Sequence, residues 1–245
     1  MSGAIANADI TGLILAGGRG SRMGGVDKGL QPWRGLPLAQ QVLLRLKPQV
    51  GPVLLNANRN LDTYRAWGLP VLADGPPPGR SMVGVSPSQP PPHRGGGEIT
   101  PSPLVGRVGV GMASGLGATA PLDFSGPLAG FLAGLDACTT PYLLTAPCDS
   151  PLLPLDLAAR LGAGLLAAQA RIALPRAGGR LQPVFCLMET SLRDDLRAFL
   201  QSGGSKIDLW TARHPTAIVE FTDSQAFENI NTRDDLQRLD TSLSP

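Results

Sequence analysis

"LILAGGRGSRMGGVDKG", residues 13–29, decides how this chain is read: a short apolar run passes directly into six glycines, two arginines and a lysine. An apolar run closed abruptly by glycine is the end of a buried strand. Glycines placed there let backbone N–H groups approach a phosphate without the clash a Cβ would bring, and the N-terminus of a following helix adds positive potential. The loop therefore predicts a phosphorylated guest at the carboxyl end of a strand. Two familiar phosphate loops do not fit. The pattern G-x-x-x-x-G-K-[ST] fails because Lys28 follows Asp27 and precedes Gly29, and G-x-G-x-x-G fails because Met23 stands where a third glycine belongs after Gly18 and Gly20.

Outward from this loop, apolar runs closed by turn residues recur at 11–18 (TGLILAGG), 52–58 (PVLLNAN), 69–74 (LPVLAD), 142–149 (YLLTAPCD), 171–177 (RIALPRA), 182–188 (QPVFCLM) and 216–222 (TAIVEFT). Each reads as a strand. Helical spacing lies between them: Leu38, Val42, Leu43 and Leu46 form one stripe, and Leu192, Leu196, Phe199 and Leu200 form another that stops at the pair Gly203 and Gly204. Alternating strands and helices predict an α/β fold, with a mainly parallel, Rossmann-like sheet flanked by helices on both faces and ligands at the carboxyl ends of its strands.

The 245 residues are expected to form a single domain, 1–245, interrupted at about 75–125. From Gly75 to Gly126, 22 of 52 residues are Gly or Pro, a density that predicts a disordered or irregular insertion carrying no part of the core. It reads as a solvated spacer or as a segment that docks a partner. A formal charge of +2 provides no field for a polynucleotide, so nucleic acid is not expected as a partner. With three dispersed cysteines and two histidines a structural zinc is not expected, and the cysteines are expected to be reduced and buried. No window approaches a membrane span, and "MSGAIANADITG" has no signal-peptide pattern, so a cytoplasmic protein is expected.

The loop with its arginine and lysine, L-A-G-G-x-x-x-R-M-G followed by Asp27 and Lys28, resembles the signature of nucleotidyltransferases. The "RMGGVDKG" portion is similar to the molybdenum cofactor guanylyltransferases. "LLNANRN", "VLAD", "GPLAG", "TAPCDSP", "QPVF" and "NINTRDDL" fall in that family's order over most of the chain outside 75–125. The resemblance implies a nucleotidyltransferase-type fold and transfer of GMP from GTP to the terminal phosphate of molybdopterin or its molybdenum form, with release of pyrophosphate. It also implies magnesium as cofactor, and molybdenum-insertion proteins and apo-molybdoenzymes as partners. Two departures stand out. The family usually has only a few residues between the Asp of "VLAD" and "GPLAG", and some relatives carry His where Gln182 stands.

Carried over residue by residue, the resemblance places Leu15, Ala16, Gly17 and Gly18 against the nucleotide, and Arg22 and Lys28 facing the triphosphate. There their charge would stabilise the departing pyrophosphate. It assigns Asp149 to magnesium, which takes one or two carboxylates beside water and phosphate oxygens. An Asp there could also cap the helix after "SPLLP". Asn56 and Asp74 match the guanine-side contacts; an Asp accepting from N1–H and the 2-amino group would discriminate against adenine. Gln182, Asn229 and Asn231 match the molybdopterin side, although Thr232 and Asp235 give "NINTRDDL" a helix-capping explanation of its own. A phosphate monoester with its second pKa near ~6 is largely dianionic at neutral pH, so no general base is required. His93 and His214 fall outside every motif. Two alternatives remain open: a cytidylyl or sugar-nucleotide transferase on the same loop, and a non-catalytic nucleotide-dependent carrier of the finished cofactor.

Overall fold

Alternation along the first strand sets the layers. In β1 (Ile10–Leu15), Ile10 and Ile14 enter one apolar core while Leu13 and Leu15 enter another on the opposite face. The computed structural model describes residues 3–16, 27–74 and 126–242. Gly17, Gly18, Arg22 and the Gly/Pro-rich stretch at 75–125, with His93 in it, lie outside the described residues.

Every one of the seven apolar runs contains a strand to within one residue: β1, β4 (Val53–Asn56), β5 (Val71–Leu72), β6 (Tyr142–Pro147), β7 (Ile172–Ala177), β9 (Cys186–Glu189) and β10 (Thr216–Phe221). They form one sheet in the order β10-β7-β9-β6-β1-β4-β5, with a short β8 (Arg180–Leu181) paired to β7. β1 runs parallel to β4 and β6, β4 to β5, and β7 to β10. β9 is antiparallel to both of its neighbours, β6 and β7. The chain length explains the reversal: a parallel partner needs a crossover of a dozen or more residues, whereas β7 turns back into β8 at Gly178 (φ 54°) and Gly179 (φ 73°) and only four residues then separate β8 from β9. A second small hairpin, β2 (Pro32–Trp33) with β3 (Leu36–Pro37), turns on Arg34 and Gly35, both in the left-handed region.

Helices cover both faces. α1 (Leu38–Leu46) and α4 (Leu157–Ala167) pack on the Ile10 side, joined by Tyr64 of α2 (Leu61–Arg65). α3 (Pro127–Ala137), α5 (Arg193–Gln201) and α6 (Ile207–Thr211) cover the Leu13 side. The stripes of α1 and α5 are buried as their spacing predicts, except that Leu43 is only partly so, and the chain leaves α5 at Gly203 with φ 88°. α3 is apolar nearly all round because it lies between the sheet and α5. α7 (Arg233–Ser242) sends Leu236 against Trp33, Leu38 and Ile230. Cys148 and Cys186 are free and buried as expected; Cys138 is free but only half-buried, its Sγ 3.3 Å from Thr140 Oγ1. Among the described residues no helix is long and apolar enough to cross a membrane.

Candidate active site

Because β1, β4, β5 and β6 point the same way, their carboxyl ends share one edge of the sheet. The ladder continues one step beyond them: Ala16 N–H donates to Asn56 O at 2.7 Å, Ala57 N–H to Leu72 O at 2.8 Å, and Cys148 N–H to Leu15 O at 3.0 Å. Leu15, Ala16, Asn56 and Asp149 are thereby set side by side, with Asp74 just beyond β5.

One cluster on this edge is cationic and acidic at once. Lys28 opens a single 3-10 turn (Lys28–Leu30), and its Nζ lies 3.3 Å from Asp149 Oδ2 and also donates to Asn231 Oδ1. The two charged side chains are 25% and 13% exposed, so their interaction is less screened than a surface pair. Burial pushes the Asp149 carboxyl up from its ordinary value, and the Lys28 ammonium pulls it only partly back. Asp149 does not cap the following helix, since α4 begins at Leu157.

The segment before α7 docks on this pair. Ile230 N–H donates to Asp149 O at 2.8 Å, Ser150 Oγ to Asn229 Oδ1 at 2.7 Å, and Asn231 Nδ2 to Asn229 O at 3.2 Å. The expected cap is present as well: Asp235 N–H donates to Thr232 Oγ1 at 3.1 Å while Thr232 N–H donates back to Asp235 Oδ2 at 2.8 Å. Asn229 and Asn231 line a groove of about 490 Å³ with Glu228, Asp235 and Arg238. Asn231 thus reaches both the groove and the lysine.

A second cluster surrounds Asp74. Asn56, buried in the sheet, donates from Nδ2 to Asp74 Oδ1 at 2.9 Å, and Asn58 donates from Nδ2 to Oδ2 at 2.5 Å while accepting from Asp74 N–H at 2.8 Å. Gly130, the last residue of "GPLAG", lets α3 lie against this pair: a Cβ there would stand 2.7 Å from both Asn56 Oδ1 and Leu15 Cδ2. The motif's glycine is a close-approach residue for the helix.

Gln182 reaches the same edge because β9 is reversed, so that its beginning and not its end lies beside the carboxyl end of β6. Its backbone bonds Pro175 and Phe185, and among the described residues no hydrogen bond joins its side chain to Lys28 or Asp149. His214 lies elsewhere, beneath α5 and α6. There its Nε2 shares Asp195 Oδ1 with Trp210 Nε1, at 2.9 and 3.0 Å. Sequence reasoning missed Asp27, Asn58, Asn60 and Tyr64. The available signals were the acid immediately before Lys28 and the repeated asparagines of 56–60.

Among the described residues no group of three or more His, Cys, Asp or Glu is arranged to hold a metal by itself. The donor set is one carboxylate, Asp149, with an amide oxygen nearby. That set fits a hard cation completed by phosphate oxygens and water, and does not fit zinc.

The family model for the MobA-like NTP transferase domain matches residues 12–86 and 116–216. A protein of Ralstonia nicotianae named molybdenum cofactor guanylyltransferase is 50% identical over 244 residues, covering 96% of this chain and 98% of that protein. The crystal structure of molybdopterin-guanine dinucleotide biosynthesis protein A from Archaeoglobus fulgidus superposes with a TM-score of 0.59 at 18% identity, covering 95% of this chain and 97% of that one. That of 4-diphosphocytidyl-2C-methyl-D-erythritolsynthase from Anaerococcus prevotii gives 0.64 at 9%, over 97% and 96%. At such identities these superpositions speak for the fold alone. They bear out the α/β fold with a mostly parallel central sheet.

Proposed function

The chain belongs to the MobA-like NTP transferase family, and from that premise we propose that it transfers GMP from GTP to the terminal phosphate of molybdopterin or its molybdenum form, releasing pyrophosphate. The observation that carries the reading is the Lys28–Asp149 contact of 3.3 Å at the carboxyl edge of the sheet. It sets a fixed ammonium beside a carboxylate where a polyphosphate and its cation would meet. The near-full-length relative supplies the choice of acceptor. Family matches on both sides of the Gly/Pro-rich stretch support a single nucleotidyltransferase domain interrupted there.

In this reading Leu15, Ala16, Gly17 and Gly18 lie along the nucleotide, and Lys28 and Arg22 face its phosphates. Asp149 would hold magnesium, which when bound would neutralise charge on the phosphate oxygens. Lys28 stabilises the negative charge that builds on the leaving pyrophosphate, and the fixed edge aligns the acceptor with the α-phosphorus. The acceptor phosphate is already anionic, so no side chain need remove a proton. Asn229, Asn231 and Gln182 offer uncharged donors and acceptors to the pterin. Delivery to apo-molybdoenzymes and exchange with molybdenum-insertion proteins belong to the same proposal.

Asp74 reads guanine through N1–H and the 2-amino group, which adenine lacks. Asp74→Asn is expected to lower kcat/KM for GTP about 10- to 100-fold, the range for hydrogen bonds to a charged group, and to leave the much poorer use of ATP unchanged. Pyrophosphate release with each nucleotide measures this; an unaltered GTP-to-ATP ratio removes Asp74 from base recognition. The reaction itself is tested by incubating the protein with magnesium, GTP and molybdopterin and weighing the product by mass spectrometry. The guanine dinucleotide is expected. Preferential use of CTP would assign a cytidylyltransferase, and GTP binding without pyrophosphate would assign a carrier.

A further inference from the structure

Asp27 is a carboxylate of only 9% exposure immediately before Lys28, and its side chain is fully engaged inside the protein. Oδ1 accepts Gly29 N–H at 3.0 Å and the Tyr64 hydroxyl at 2.7 Å; Oδ2 accepts Asn60 Nδ2 at 2.9 Å. The bond to Gly29 closes a small turn in which Lys28 is the central residue. Such a turn is ordinarily a weak local device. Here its acid is gripped on both oxygens by residues some thirty positions on, at sequence separations of 37 and 33.

The grip is built with little room for variation. Tyr64 is fully buried, edge-on to Trp67 with ring centroids 5.0 Å apart, and a Cβ on Gly29 would collide with the phenol oxygen. Asn60 adopts φ 52°, a left-handed conformation that asparagine tolerates better than most residues. Burial, and then the bond to Asp27, push the Tyr64 phenol up, so it remains a donor. Both Tyr64 and Asn60 belong to the segment that leaves β4, the strand whose end carries Asn56.

We propose that Tyr64, acting through Asp27 and assisted by Asn60, is a positioning residue for the Lys28 ammonium, linking the nucleobase strand to the phosphate side of the site. This rests on the role given to Lys28 above. A lysine side chain has much rotational freedom, and its charge serves a transition state only where its backbone is fixed; a displacement of about 1 Å at such a group can cost about 100-fold in rate.

The test is pyrophosphate release from GTP with molybdopterin, for wild type, Tyr64→Phe, Lys28→Ala and the double variant. Tyr64→Phe removes one hydroxyl and keeps the ring. It is expected to lower kcat about 10- to 100-fold, with KM for GTP changed about twofold or less. In the Lys28→Ala background the same change is expected to have less than about a twofold effect, since nothing remains to be positioned. A purely structural tyrosine would instead produce equal losses in both backgrounds, and that additivity would overturn the proposal. If Tyr64→Phe does not fold, Asn60→Gly withdraws the donor on the other oxygen while suiting the positive φ, and is read in the same way. Wild-type turnover by Lys28→Ala would overturn the lysine's role itself; wild-type turnover by Tyr64→Phe alongside a crippled Lys28→Ala would overturn only the positioning.

Discussion

Lys28→Ala is expected to lower the turnover of GMP transfer about 100- to 1,000-fold while the melting transition stays within a few degrees of wild type, the scale seen when one fixed donor to a developing anion is removed. The rate argument is electrostatic. The ammonium is partly buried beside Asp149, where a charge is worth more than it would be in bulk water. Its removal also takes away the counter-charge that opposes the upward push of burial on that carboxyl. The fold survives because Lys28 remains a quarter exposed and its turn is held through Asp27 and Gly29. Steady-state kinetics with thermal denaturation checks both halves. Wild-type transfer by a folded Lys28→Ala protein would remove the lysine from the reaction.

If Asp149 holds the cation as proposed, Asp149→Ala is expected to lower turnover about 1,000-fold, the rate equivalent of about 4 kcal/mol. Stability is not the cause. The tie from Ile230 is made to the backbone oxygen of Asp149 and persists, and Lys28, a quarter exposed, keeps its bond to Asn231 when the carboxylate is removed. Asp149→Glu at raised magnesium should recover part of the lost rate, whereas Asp149→Ala should not. Magnesium titrations of both variants measure this, and full activity of Asp149→Ala at ordinary magnesium would dissociate the residue from the metal.

The strands were legible because a sheet covered on both faces writes itself as apolar runs, and 142–149 and 171–177 needed no other clue. Direction was not: "QPVFCLM" has the same composition whichever way it runs, and only the short return from β7 through the Gly178–Gly179 turn and β8 makes β9 antiparallel. The hairpin at 32–37 escaped because strands of two residues have no period. In the site, the motif order picked out Lys28, Asp149, Asn56 and Asp74, and the fold brings each to one edge. Sequence separation hid which side chains meet. Asn231 is bonded to Lys28 across 203 positions, and Tyr64 is joined to Asp27 across 37, and nothing local in either stretch announces its partner. Gly130 had been read only as part of a signature, yet its requirement comes from α3 pressing on Asn56.

The docking of 229–231 onto Asp149 and Lys28 has a consequence for biosynthesis. A chain emerging from the ribosome makes its glycine-rich loop early, but the asparagine that meets that loop's lysine arrives 203 positions later. Until then a nascent molecule can lay down β1, β4 and β6 without the Lys28–Asn231 contact at their edge. On the proposed reading, competence therefore waits for the segment that carries Asn231.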